Sequence, residues 1–182
     1  NAAPKLNLRW DAATGLMLYA NASRGFRPPE MTELYRLQRN QSVADLDSEQ
    51  VDAIEIGMKF VRGDWRGELA GFDMRKDNVI LRDSNGFYVS DGRTSHEGVE
   101  YSLTWQALGS LAATVAGTYA RHRYELSRAI EGGETITAGN DVDTAPRDLL
   151  RAVLEFRPSP AVAAEAEWLV VGDYFVDAAN AH

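Results

Sequence analysis

Strict alternation of apolar and polar residues is the feature that most constrains how this chain can fold. From Val99 to Gln106 the sequence reads Val-Glu-Tyr-Ser-Leu-Thr-Trp-Gln, in which every second side chain is apolar. Because successive side chains of a β-strand point to opposite faces, this period predicts a strand with one apolar and one polar face. The alternation recurs at residues 52–60, 150–156 and 162–170, and more weakly at 111–119. The chain is therefore predicted to be all-β.

We predict about eight strands that follow one another as an antiparallel up-and-down meander. Short segments that contain Gly or Pro join the strands of each pair, as tight hairpins require. The predicted strands lie at about residues 5–10, 16–22, 51–61, 65–82, 87–106, 110–124, 148–157 and 161–176. In the middle of the chain, Asn85-Gly86 predicts a hairpin tip with a type I′ turn.

Short and long connections alternate along the chain. The short turns lie at Asp11–Gly15, Arg62–Asp64, Ala107–Gly109 and Arg157–Pro160, and the long polar connections run over about residues 23–50, 76–97 and 122–148. Long connections without secondary structure are uncommon in compact soluble domains. Outer-membrane barrels, in contrast, combine short periplasmic turns with long extracellular loops. The alternation therefore favours a transmembrane β-barrel. Because the small polar residues 178–182 begin what reads as another loop, we expect these strands to belong to a larger barrel.

A soluble antiparallel β-sandwich or barrel, acting as a carbohydrate-binding or interaction module, is the alternative that alternation leaves open. The two folds differ in where the apolar side chains point. In a sandwich, Ile54, Tyr101 and Leu154 would meet a second sheet across a core about 10 Å thick. In a membrane barrel they would lie on the outer, convex face.

Composition excludes several other functions. The formal net charge is -8 and the pI is about 4.9, so we expect no nucleic-acid partner. The chain has no cysteine, which rules out disulfides and thiolate metal sites, and no apolar run of about 18 residues that would form a transmembrane helix. The histidines His96, His122 and His182 lack the close spacings of metal ligands, so neither a metal site nor a cofactor is predicted.

The polar faces of the predicted strands carry charged side chains, which we expect to face the barrel lumen. These residues are Glu55, Lys59, Glu100, Arg151, Glu155, Glu165 and Glu167. Glu165 and Glu167 share one strand face and could be viewed as the paired carboxylates of a glycosidase. A wet lumen explains them more simply, and because no catalytic motif is present we expect no enzyme.

The stretch from Tyr19 to Tyr35 resembles a motif of TonB-dependent outer-membrane receptors. It reads Tyr-Ala-Asn-Ala-Ser-Arg-Gly-Phe-Arg-Pro-Pro-Glu-Met-Thr-Glu-Leu-Tyr and is similar to the family pattern SxGFRxPxxxELY. Five further segments resemble family motifs in the same order along the chain. They are Glu49–Lys59 (E…ExGxK), Leu69–Ile80 (FxxxxxDxI), Thr94–Glu100 (GxE), Ala145–Arg147 (xPxH/R) and Asp173–Asn180 (YxxDxxN).

The resemblance implies active uptake of a scarce nutrient across the bacterial outer membrane, most simply a ferric siderophore or another iron complex. The implied partners are outer-membrane lipid, the iron chelate and TonB, the last through an N-terminal part that this chain lacks. Residues 1–182 would then be a partial β-barrel domain without a plug domain and without the barrel-closing C-terminal strand.

Six residues of the predicted loops are candidates to contact the ligand. They are Phe26, Arg27, Arg82, Tyr88, Arg93 and His96. An arginine such as Arg27 could pair with an anionic ferric chelate. The structural alternative is that Pro28 and Pro29 only end the strand and set the loop's direction, and that the other charged residues are ordinary exposed loop residues.

Overall fold

The computed structural model describes residues 2–35 and 44–182, which form one eight-stranded antiparallel sheet and a small second sheet. The large sheet contains β1 (Lys5–Ala13), β2 (Leu16–Arg27), β3 (Glu49–Arg62), β4 (Trp65–Arg82), β5 (Tyr88–Leu108), β6 (Leu111–Tyr124), β9 (Asp148–Ser159) and β10 (Val162–Val171). The remaining elements are the helix α1 (Met31–Tyr35) and the two-stranded hairpin of β7 (Arg128–Ala129) and β8 (Thr135–Ile136). Each strand of the large sheet pairs with its neighbour in sequence order, apart from the inserted hairpin. The predicted meander of eight strands is confirmed.

Three details differ from the prediction. The strand β2 continues to Arg27. The last strand ends earlier than predicted, at Val171, because residues 172–182 fold back against the third long connection. That connection also contains the hairpin β7–β8, which the sequence pattern did not reveal. The first long connection includes residues 36–43, which lie outside the described residues.

The hairpin tip is where the sequence predicts it, but the predicted turn type is wrong. A type I′ turn needs a positive φ at both central residues. Within this turn Gly86 has a φ of 79°, whereas Asn85 is not among the residues with positive φ. The Gly86 amide donates to the Asp83 carbonyl (2.8 Å), and the Asp83 carboxylate accepts from the amides of Asn85 and Phe87. The Asp83 side chain therefore holds the turn in a different geometry.

One face of the large sheet is apolar and exposed. In register across three strands, Met58, Leu69 and Tyr101 lie beside one another on this face, which we call the outer face. Ile54 is 61% exposed and Leu154 is 48% exposed, and no second sheet covers these side chains within the described residues. A sandwich would bury them. The alternative of a soluble sandwich is therefore wrong.

Aromatic residues occupy the short-turn end of the outer face. Trp65 and Trp105 are register partners and stack with ring centroids 5.3 Å apart. Trp10 and Phe156 lie near the same end on other strands. Among the described residues, no helix combines the length and the hydropathy needed to cross a membrane.

Glycines lie directly across from aromatic residues at four places in the sheet. The register pairs are Tyr19–Gly57, Phe60–Gly67, Phe72–Gly98 and Tyr101–Gly117. At each glycine an added Cβ would lie less than 3.0 Å from an atom of the partner's side chain. The aromatic ring thus occupies the space that a side chain would fill, which pins the register of these strand pairs.

We expect Gly98→Ala to destabilise the sheet. A Cβ on Gly98 would lie 2.7 Å from the carbonyl oxygen of Tyr119 and 2.8 Å from the Cβ of Ala120, so backbone as well as side chains must shift. Overpacking of this kind costs about 1–3 kcal/mol. Gly71→Ala is the matched control, since the nearest atom to its added Cβ is 3.9 Å away. Heat-dependent gel mobility of the full-length protein measures the stability of both variants. Equal loss of stability in the two would argue against register pinning.

Candidate functional site

The outer face changes from apolar to charged toward the end of the sheet that carries the long connections, which we call the loop end. Val99 and Tyr119 are register partners in the last apolar row. The next row on the same face contains Asp73, Glu97 and Arg121. Strands β4, β5 and β6 therefore continue beyond the apolar band. The residues beyond this boundary, on the face opposite the outer face, form the candidate functional site.

Arg27 ties the first long connection to the sheet. Its guanidinium donates two hydrogen bonds to the Glu49 carboxylate, from Nε (2.9 Å) and Nη2 (2.8 Å), and two more to the Glu33 carboxylate (both 3.1 Å). Glu49 is 7% exposed and also accepts from the amide of Ile80 (3.0 Å). The Nζ atom of Lys76 lies 3.8 Å from the same carboxylate. This cluster, which we call the arginine clamp, joins β2, α1, β3 and β4.

The charges of the arginine clamp stabilise one another. The hydrogen bond from Arg27 lowers the pKa of Glu49 to about 2, with burial opposing it and the Ile80 amide and Lys76 adding to the decrease. Bonding to Glu49 and Glu33 in turn raises the pKa of Arg27 above its ordinary value. A bidentate arginine–carboxylate pair of this kind is stronger and more directional than a single ionic contact. All four hydrogen bonds that Arg27 donates within this clamp go to carboxylates of the chain itself, which favours the structural role for this residue.

The second and third long connections are tied to each other. Arg82 forms an ion pair with Glu131, and Arg128 forms one with Asp91. The amide of Glu131 donates to the Arg82 carbonyl (3.1 Å). Asp83 and Ile130 form an isolated antiparallel β-bridge. The tip of the β4–β5 hairpin thus lies against the hairpin β7–β8.

A small hydrophobic core lies beneath this contact. Ile136 has 0% of its surface exposed and packs with the buried residues Tyr124 and Ala178. The surrounding partly buried side chains are Leu81, Leu126, Ile130 and Val142. The Tyr124 hydroxyl donates to Asp143 (2.6 Å), which satisfies its polar atom. The core therefore holds residues from β4, β6, the third connection and the segment 172–182 in one unit.

The six predicted ligand contacts do not form one cluster. Phe26 and Arg93 lie on the outer face, in the same register row. Arg82 lies over the ring of Tyr88, with its Cζ 5.3 Å from the ring centroid. His96 lies on the opposite face. Which of these residues meets a ligand stays a prediction.

The charged residues that we expect to face the lumen do share the face opposite the outer face. In the register of the sheet, none of these residues pairs with Leu103 or with another apolar residue of the outer face. Several of these residues form ion pairs with neighbouring strands, such as Arg151 with Glu167 (2.5 Å) and Lys59 with Glu68 (2.6 Å). We call this the inner face, and its assignment to a lumen stays a prediction.

His96 and His122 meet on the inner face, just beyond the apolar band. They are direct register partners on β5 and β6, and their Nδ1 atoms lie 2.8 Å apart. The Nε2 atom of His96 lies 2.9 Å from the hydroxyl of Thr94, which is buried. Sequence reasoning missed this pair because the two residues are far apart in the chain. Counting outward from the predicted turn at Ala107–Gly109 would have paired His96 with Ala120. The pairing with His122 follows only from the observed register, in which Gln106 pairs with Ala112.

Burial favours the uncharged form of both rings. Burial lowers the pKa of His96 to about 4, with smaller contributions from His122 and Lys76. Burial also lowers the pKa of His122, against an opposing effect of Asp141. Among the described residues, no group of three or more histidine, aspartate or glutamate side chains is arranged to hold a metal ion.

Comparison with known proteins gives one family and a consistent fold. The family model described as "TonB dependent receptor-like, beta-barrel" matches residues 1–182. The metal-pseudopaline receptor CntO of Pseudomonas aeruginosa is 26% identical over 162 residues, which cover 86% of this chain and 21% of that protein. The chain therefore spans about a fifth of the length of this curated relative.

Two solved structures illustrate the similarity of fold. The siderophore receptor PirA from Pseudomonas aeruginosa superposes with a TM-score of 0.74 at 18% identity, over 94% of this chain and 31% of that one. The ferric citrate transporter FecA in its unliganded form gives a TM-score of 0.78 at 19% identity, over 98% of this chain and 26% of that one.

We expect Glu49→Gln to loosen the first long connection. The substitution keeps the shape of the side chain but removes the charge that Arg27 and Lys76 face, at a cost of about 2 kcal/mol. Hydrogen exchange of peptides that contain α1 and Ile80 should become roughly 30-fold faster at neutral pH.

Glu30→Gln is the matched control, because Glu30 also faces Arg27 but is exposed and lies 3.7 Å away. Since the pKa of Glu49 is lowered, its contribution should be complete above pH 4.5 and be lost as the pH falls toward 2. Equal rates of hydrogen exchange in the two variants would contradict the proposed stabilising role of the arginine clamp.

Proposed function

The chain belongs to the TonB-dependent receptor β-barrel family and lies in the bacterial outer membrane, and on that premise we propose that it forms part of the wall of an uptake receptor. The cargo that we propose is a scarce metal chelate, with a ferric siderophore or another iron complex as the first candidate. TonB is the proposed energy-coupling partner of the whole receptor. The family consists of transport receptors, so we propose no catalytic role.

The observation that carries this proposal is a sheet with two unlike faces and all its long connections at one end. The outer face is apolar from its tryptophans at the short-turn end to the charged row of Asp73, Glu97 and Arg121. Such a band, with an aromatic belt at its edge, suits contact with lipid. The inner face has charged and polar side chains that suit a wet interior. The loop end is then the side from which a ligand would enter.

The ligand class rests on what similar proteins are described as carrying. The relatives include a siderophore receptor, a ferric yersiniabactin uptake receptor, a ferric citrate transporter, a copper transporter and a metal-pseudopaline receptor. All of these names contain a metal or a metal-binding small molecule. Because the curated relative at 26% identity is a metal-pseudopaline receptor, a chelate of a metal other than iron is the second candidate.

Uptake by living cells tests the proposed function. A strain that lacks the full-length gene is compared with its parent for uptake of several metals and metal complexes. The panel consists of radioactive iron as hydroxamate, catecholate and citrate complexes, of haem, of copper, and of a metal-pseudopaline complex. We expect the deletion to abolish uptake of one of these, and a plasmid copy of the gene to restore it. A proton uncoupler should stop the restored uptake. Unchanged uptake of the whole panel would contradict the proposal.

The orientation of the two faces has a separate test. Leu103→Arg introduces a charge in the middle of the apolar band and should destabilise the receptor by about 2–4 kcal/mol. Ser102→Arg is the matched control, because Ser102 lies on the inner face beside the carboxylate-bearing Glu68. Heat-dependent gel mobility of the full receptor in outer-membrane vesicles measures both. A larger loss for Ser102→Arg than for Leu103→Arg would mean that the faces are reversed.

A further inference from the structure

We propose that His96 and His122 form a binding site for a divalent transition-metal ion on the inner face at the loop end. Neither residue belongs to a local metal motif in the sequence, and the fold alone brings their rings together. The inference deepens the proposed function and rests on it for its biological meaning, since the site would meet the metal of an incoming chelate.

The backbone already holds the two ligands on neighbouring strands. His96 and His122 are direct partners in an uninterrupted stretch of the β5–β6 ladder, so their Cα positions are fixed by hydrogen bonds on both sides. Their Nδ1 atoms face each other at 2.8 Å. Two imidazole nitrogens on one tetrahedral ion, each about 2.0–2.1 Å from the metal, lie about 3.3 Å apart. An opening of roughly half an ångström, within reach of a small rotation of either ring, would admit the ion.

The proton between the rings needs no external acceptor. At 2.8 Å, one Nδ1 donates a hydrogen bond and the other accepts it. When a metal ion enters, the ring with its proton on Nδ1 changes to the tautomer with the proton on Nε2, and both Nδ1 lone pairs then face the ion. No proton is gained or lost in this step.

Thr94 supports this arrangement from behind. Its hydroxyl lies 2.9 Å from Nε2 of His96 and is itself buried. A partner on the far nitrogen fixes the orientation of a ligating imidazole, as in many metal sites. The Nδ1 atom of His96 is therefore aimed at His122.

The surroundings define the class of metal. Met74 is the register partner of His96 on β4 and shares its face, so a thioether lies on the third strand. The negative charge of the Asp141 carboxylate, near His122, favours binding of a cation. The positive charge of Lys76, near His96, opposes it. Lys76 is partly neutralised by Glu49, 3.8 Å from its Nζ. Imidazole ligands suit Cu²⁺, Ni²⁺ and Zn²⁺, of which Cu²⁺ binds nitrogen sites most tightly. A thioether would add a preference for copper or zinc.

Two histidines leave coordination positions open on the ion. Water or donor atoms of a chelate would fill them, so the site suits an ion that arrives with part of its chelate and later leaves. It differs in this respect from a closed structural site, which uses four protein ligands.

Metal titration of the full receptor in detergent tests the site. The probes are CuCl₂, NiCl₂ and ZnCl₂, added without any chelator. We expect one equivalent of Cu²⁺ to bind, with nitrogen couplings of two imidazoles in its electron paramagnetic resonance spectrum. His96→Gln and His122→Gln should each weaken binding at least about tenfold, and Thr94→Val should weaken it by a smaller factor.

His182→Gln is the matched control, because His182 is exposed and its ring lies 3.5 Å from Asp177. This variant should bind Cu²⁺ as the unmodified receptor does. Equal binding by all the variants, or a copper spectrum without imidazole couplings, would overturn the proposal.

A second measurement guards against loss of folding in the variants. Cu²⁺ should raise the unfolding temperature of the unmodified receptor and of His182→Gln, since a ligand that binds the folded state stabilises it. It should not do so for His122→Gln, whose folding is checked in the absence of metal. A Cu²⁺-dependent rise in His122→Gln equal to that of the unmodified receptor would also overturn the site.

Failure of this site and failure of the proposed function give different results. If gene deletion abolishes chelate uptake while the unmodified receptor binds no Cu²⁺, the histidine site is wrong and the uptake function stands. If the pair binds Cu²⁺ and deletion leaves uptake of every chelate unchanged, the metal site stands and the uptake function is wrong.

Discussion

Backbone hydrogen bonding in lipid is the constraint on which the rest of this structure depends. Hydrocarbon offers no partner for an amide or a carbonyl, so a sheet that crosses a membrane must satisfy these groups strand by strand. In the described residues, each strand from β2 to β9 of the large sheet has a neighbour on both sides, whereas β1 and β10 each have one. We propose that further strands of a barrel wall pair with the edges of β1 and β10. When every strand is paired on both sides, the apolar outer face can lie against lipid and needs no second layer of protein to cover it.

The two-residue period of the sequence was enough to predict the sheet, because each side chain's face follows from its position in a strand. Val99, Tyr101 and Leu103 alternate with polar residues and do lie together on the outer face. The same period could not predict the loop end. Ile136 sits in a core built from β4, β6 and the segment 172–182, and these contacts depend on which distant segments meet. The hairpin β7–β8 and the early end of β10 were missed for this reason.

The side-chain contacts of the candidate site could not be predicted from the sequence either. The sequence could mark Arg27 as unusual, but not that Glu33 and Glu49 take its hydrogen bonds. It could count three histidines, but their spacing along the chain hid the pairing of His96 with His122 across the ladder. Motif residues that look like ligand contacts can thus be internal supports, while unmarked residues on adjacent strands can form a site.

The shared core at the loop end has a consequence for how these loops can change over evolution. Surface loops usually vary independently, because each loop contacts little besides solvent. Here the tip of the β4–β5 hairpin and the β7–β8 hairpin are joined by Arg82–Glu131 and Arg128–Asp91 above the buried Ile136. A substitution in one loop therefore changes the packing surface of the other. Diversification of these two loops should therefore proceed by paired changes, one in each loop.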